Sequence, residues 1–206
     1  MKMKWFSYLI LCSILIFWQA GYADSPATST PFSQAYLDCE IVRQAGDQGV
    51  LTDDMCRFLT DLNIPIDHKA ALINALSWAF EGKDNGERFS RYLFKKYRFQ
   101  TKKLPLYGLN GSELMCLGYL KLLDDYFHPE PALIILEKAV KIKSSSFTVH
   151  IVNAIARGQV AFDSDWCRIW KYAEAVFGDA SLTPDMRPDA IQIIRDYLIL
   201  YQESCG

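Results

Sequence analysis

Histidine is scarce in this chain: His68, His128 and His150 are the only three among 206 residues. None stands in an HExxH or similar spacing, so no metal-ligand cluster can be drawn and no metal or other cofactor is expected. Also missing are a C-x-x-C pair, a G-x-S-x-G elbow, a P-loop and a dinucleotide-binding glycine pattern. Acids pair at Asp53/Asp54, Asp124/Asp125 and Asp163/Asp165. Sequence neighbours on a helix point in different directions, whereas glycoside hydrolysis needs two carboxyls a set distance apart across a cleft. Capping and solvation account for these acids. No catalytic residue is assigned, and a non-enzymatic protein is the expectation. Two competing readings remain: a cell-envelope enzyme acting on peptidoglycan, which needs convergent acids, and a helical lipid or ligand carrier, which needs a continuous apolar cavity.

A large excess of charge is absent too. The formal net charge of −2 gives no bulk field for nucleic acid, so none is expected as a partner. The N-terminus explains part of the apolar half of the composition. Lys2 and Lys4 precede the apolar run Trp5–Trp18, and Gly21 and Ala23 supply a small-x-small ending. This is the pattern of a secretory signal peptide, 1–23, cleaved before Asp24, with an uncleaved anchor as the alternative. Export to the periplasm follows, and membrane contact is expected only through export. The polar stretch 24–31, DSPATSTP, reads as a disordered leader, and 32–206 as a single all-helical domain.

Periodicity predicts an all-α fold of about nine helices, stacked as antiparallel hairpins like a bundle or α-solenoid. Its centre is Asn110–Lys143, with apolar residues on almost every side of the first helix (Leu114, Met115, Leu117, Tyr119, Leu120, Leu122, Leu123). Such a helix must be covered on both flanks. Before it, helices are expected at Phe32–Gln44, after the cap Thr52, from Asp67 to Gly82, and at Glu87–Phe99. After it come Phe147–Ala161 capped by Ser145 or Ser146, Ser164–Phe177 capped by Asp163, and Asp189–Gln202. Ala132, Leu136 and Ala139 precede Trp166, Trp170 and Ala173 by 34 residues. That spacing resembles the second helix of a tetratricopeptide repeat and implies stacked hairpins in the C-terminal half.

Five cysteines remain after the signal, and an oxidising compartment favours pairing. Antiparallel helices would bring Cys39 to Cys56 and Cys167 to Cys205, so four cysteines form the expected disulfides. Cys116 is then a buried thiol, with Cys116–Cys167 as an alternative bridge.

The strongest charge feature is Glu87–Phe99, where Arg88, Arg91, Lys95, Lys96 and Arg98 interleave with Phe89, Tyr92, Phe94, Tyr97 and Phe99, and Lys102 and Lys103 follow. It is either a docking face for an acidic partner or a solvated amphipathic helix. The loop Gln100–Gly111 carries Leu104, Leu106, Tyr107 and Leu109, and is either functional or a connector tucked under the core. The expected partner-binding residues are Arg91, Lys95, Lys96, Arg98, Lys102, Lys103, Leu106 and Tyr107. The partner is another protein, and a homo-oligomer is left open.

Three segments, SQAYLDC (Ser33–Cys39), RYLFKKY (Arg91–Tyr97) and ELMCLGYL (Glu113–Leu120), occur in an order that resembles the periplasmic immunity proteins of type VI secretion amidase effectors. The likeness covers less than half the chain, and 129–206 has no counterpart in it. The resemblance implies an exported helical protein that binds a secreted toxin and occludes its active site without turnover. By analogy the Gln100–Gly111 loop would insert. It also implies a Cys39–Cys116 bridge.

Overall fold

The computed structural model describes residues 25–101 and 103–206. The signal-peptide assignment falls outside them. Among the described residues there are nine α-helices and three short 3-10 helices. The α-helices are α1 Glu40–Gln48, α2 Asp53–Thr60, α3 Ile66–Leu76, α4 Asn85–Tyr97, α5 Gly111–Asp124, α6 Glu130–Ile142, α7 Phe147–Ala161, α8 Trp166–Phe177 and α9 Pro188–Leu198. Extended pairing is limited, among these residues, to a bridge between Ser146 and Thr183.

The core forms around α5, which is buried along nearly its whole length, as its unbroken apolar surface requires. Asn110 caps it, accepting from the Glu113 N–H at 2.9 Å, while Glu113 Oε2 accepts from the Asn110 N–H at 3.1 Å. This reciprocal box satisfies two otherwise orphaned donors. The α5–α6 hairpin packs tightly at Gly118, where an added Cβ would lie 2.7 Å from Leu136 Cγ. The expected hairpin centre is corrected in its second half. Ile134 and Ile142 of α6 are 57% exposed, and the second deeply buried helix is α7. The chain continues as an α7–α8 hairpin, with Ala132, Leu136, Ala139, Trp170 and Ala173 in the core and Trp166 outside it.

Tertiary contacts move several boundaries. The first expected helix is instead a 3-10 turn, Phe32–Tyr36, followed by α1. Phe32 stacks on Tyr119, and the Tyr36 hydroxyl donates to Asp67 Oδ2 at 2.8 Å, so both rings are committed before α1 starts. Ser146 caps α7, and Asp165 rather than Asp163 caps α8. The leader is corrected as well: Ser25, Ala27 and Thr30 are buried, and the Ala27 N–H donates to Gln159 Oε1 at 3.1 Å.

Helix α3 stops at Leu76, well short of Gly82. Ser77 has φ 60° and ψ −166°, a region of backbone space that glycine alone enters freely. Lys83 Nζ donates to the Leu76 carbonyl at 2.5 Å, meeting the orphaned helix end.

One expected disulfide forms. Cys167, at the start of α8, bonds Cys205, at the end of the terminal 3-10 turn Ile199–Cys205. Closing that 38-residue loop is worth about 3–4 kcal/mol in the chain-entropy account. Cys39 and Cys56 are free, as is Cys116, so neither the Cys39–Cys56 bridge nor the implied Cys39–Cys116 bridge is present. The reason lies in the end of α1, which runs to Gln48 rather than Gln44. Cys39 precedes this helix, so nine residues, about 14 Å of rise, separate it from the α1–α2 connection.

The two ends of the described chain meet through Arg187. Its guanidinium binds both oxygens of Asp38, at 2.6 and 3.0 Å, lies over the Tyr36 ring, and its backbone N–H donates to the Tyr36 hydroxyl. That guanidinium holds the Asp38 carboxyl below the usual carboxylate range.

Candidate interaction surface

Helix α4 carries the basic run, and α5 fixes it at both ends. At the start of α4 the Asp124 carboxylate accepts from the backbone N–H groups of Asn85 (3.1 Å) and Gly86 (2.6 Å), standing in for a local cap. Burial pushes the Asp124 carboxyl up, while those two donors act the other way. The Asn85 side chain accepts from the Leu51 N–H at 2.8 Å and donates to the Gly49 carbonyl, tying α4 to the α1–α2 connection. At the other end the Tyr97 hydroxyl donates to Glu113 Oε1 at 2.5 Å, and Lys96 Nζ lies 3.4 Å from the same oxygen. Glu113 is only 1% exposed. Arg98 then takes a left-handed conformation, φ 52°, that closes the helix.

Held this way, α4 forms one wall of an open groove whose other wall is α2. The groove has a volume of about 590 Å³ and is lined by Arg57, Arg88, Arg91, Lys95 and Lys96 around the Tyr92 ring. One acid, Asp53, lines it as well. Lys96 closes one end by reaching across to the Thr60 carbonyl at the end of α2. Most of these cations are tethered by acids at the rim: Arg57 by Asp54, Arg88 by Asp84 at 2.7 Å, and Arg91 by Asp84 at 3.6 Å. These pairs are exposed, and exposed pairs contribute little net stability. An incoming carboxylate can therefore exchange with them at small loss.

Of the residues expected to bind a partner, the structure gathers Arg91, Lys95 and Lys96 into this groove. Arg98, Lys103, Leu106 and Tyr107 do not line it. Arg98 and Lys103 are exposed, Tyr107 is 90% exposed, and Leu106 is half-buried against the core. Lys102 lies outside the described residues. The loop is held from beneath, since Phe99 packs on Gly108 so closely that a Cβ there would come within 2.9 Å of the ring. Arg57 and Arg88 are the groove cations missing from the expected set. Arg88 belonged to the basic run, but Arg57 sits on α2, and nothing in its own neighbourhood sets it apart.

Comparison with known proteins finds no matching family model, no matching curated protein and no matching solved structure.

Proposed function

We propose that the chain is an exported, non-catalytic protein-interaction module whose α2–α4 groove receives an acidic segment of a partner protein. The observation that carries this reading is the convergence of five cations from two helices on one open groove containing a single acid. Electrostatic complementarity of this kind raises association rates and rejects like-charged competitors. The sharpest form of the reading, and the one the segment resemblance supports, is an immunity protein that occludes a secreted toxin.

The test is recovery of the chain from the periplasm with one stoichiometric protein partner, followed by charge reversal in the groove. Arg91→Glu combined with Lys95→Glu changes two exposed side chains and is expected to weaken the complex at least about a hundredfold, since each reversal converts attraction to repulsion. Protection of cells from a periplasm-directed toxin encoded beside this chain would be lost with the same substitutions. A complex that survives the reversal unchanged shows that the basic face is solvated surface and overturns the reading.

A further inference from the structure

A second cavity, of about 230 Å³, lies where α3, α5 and α7 end. One side is aromatic, and Ser25, Thr28, Ser29 and Gln159 line the other. Trp78 meets Phe80 edge-on with ring centres 5.0 Å apart and Tyr126 at 5.2 Å, while Phe127 lies against Tyr126 at 4.3 Å and stacks with Phe80 at 6.5 Å. Two exposed carboxylates, Glu130 and Asp163, line the same cavity, and no lysine, arginine or histidine does. Neither carboxylate has an ion-pair partner among the described residues.

Helix ends add to this field. Trp78 and Phe80 follow the C-terminus of α3, Tyr126 and Phe127 that of α5, and Phe162, also in the lining, that of α7. Helix C-termini carry partial negative charge. Lys83 already answers the α3 end at Leu76, and α6 begins here with its positive end, so the α5 and α7 ends supply the remaining bias. Aromatic faces are negative as well. Three independent sources of negative potential thus surround a space smaller than a drug-sized pocket.

The backbone supports the same site. Ser77, in its glycine-only conformation, directly precedes Trp78 and turns the chain so that Trp78 and Phe80 leave the α3 axis. Strain of this kind persists where surrounding structure enforces it, and it concentrates at ligand sites.

We infer that this cavity binds a small quaternary ammonium group, held by cation–π contact with Trp78, Tyr126 and Phe127 and by the charges of Glu130 and Asp163. Aromatic cages favour such cations because the methylated nitrogen is weakly hydrated and spreads its charge over a surface the rings can cover. A choline-type head group fits this chemistry, whether free or on a lipid.

Purified protein is titrated with choline chloride and, separately, with dimethylbutanol, its uncharged carbon isostere of the same shape, following chemical shifts by NMR. Saturable choline binding at least about tenfold tighter than the isostere is expected, the difference that cation–π contact supplies. Equal affinity for the two, or no saturable binding of choline, overturns the inference. Glu130→Gln with Asp163→Asn touches only exposed side chains and should weaken choline severalfold while leaving circular dichroism unchanged. Trp78→Leu should weaken it about tenfold. Cosedimentation with phosphatidylcholine but not phosphatidylglycerol vesicles identifies a lipid as the source. Choline binding without cosedimentation identifies a free small molecule. Either result supports the site.

Discussion

The groove between α2 and α4 and the cavity at the ends of α3, α5 and α7 are built by opposite means. The groove is walled by long cationic side chains on two helix faces, paired loosely with rim acids that exchange at little cost. The cavity is walled by rings with few rotamers, set on turns and locked edge to face. A partner entering the groove as proposed would have to order flexible arginines and lysines, so it would gain chiefly in association rate and in discrimination by charge. Binding in the cavity as proposed would meet the buried Tyr126 ring and Trp78 already packed together, and would lose less side-chain freedom there. One molecule thus carries a basic groove and an aromatic, acid-rimmed cavity, and the two should respond separately to substitution.

The largest expected separation comes from Glu113→Ala. This buried carboxylate holds the Tyr97 hydroxyl, neighbours Lys96, and completes the box that starts α5. The Asn110 side-chain cap survives, so losing the Glu113 half of the box costs less than about 1 kcal/mol, and losing the Tyr97 and Lys96 contacts, both open to water, adds about 1 more; a fall of roughly 2 kcal/mol is expected in urea titration. The α4 C-terminus should loosen, and partner binding in the groove should weaken. Choline binding should persist, because no wall of the aromatic cavity rests on Glu113. Unchanged stability would show that α4 is not anchored there.

A smaller effect, with opposite sign, belongs to the cavity. Ser77→Gly removes the side chain from a conformation that disfavours it, and stability should rise by about 1 kcal/mol. The freed turn positions Trp78 less firmly, so choline affinity should drop although the protein is more stable. A variant that gains stability and keeps its affinity would separate the strain from the site. Groove binding is not expected to change in Ser77→Gly.

The contrast between the two regions also explains what could be read in the chain. Interleaved arginine, lysine and aromatic residues lie consecutively within α4, so their collection on one helix was visible. The α5 core helix was legible for the same reason, its apolar residues being local and periodic. The cavity draws on three helix ends separated by about forty residues each, and no local pattern links Trp78 to Tyr126 or Phe162. The α3 stop was hidden as well, since Lys83 and the aromatic turn end that helix against an apolar period that runs on toward Gly82. The disulfide readings divide on one boundary. Cys167–Cys205 followed from correctly placed helices, whereas Cys39–Cys56 depended on a first helix ending at Gln44, one to two turns past Cys39. The helix runs instead from Glu40 to Gln48 and leaves Cys39 a helix length away from the connection.

The smallest test concerns the groove wall itself. Cys56 lines the groove among arginines, whose charge favours a thiolate, yet burial opposes ionisation and Asp53 adds to that opposition. Burial dominates, pushing the Cys56 thiol up to about 12. Cys116 reaches about 12 by full enclosure in α5, although Lys69 nearby pulls the other way. Cys39 is only half-buried. A thiol at 12 is about a thousandfold less ionised at pH 8 than an ordinary one, and the thiolate is the species that alkylates. Iodoacetamide at that pH should therefore label Cys39 in the native protein and spare Cys56 and Cys116 until denaturant is added, as read by peptide mass mapping. The protection is set by how tightly α2 closes over Cys56. Rapid labelling of Cys56 would mean that the groove opens deeper, and that its cations govern the wall more strongly than enclosure does.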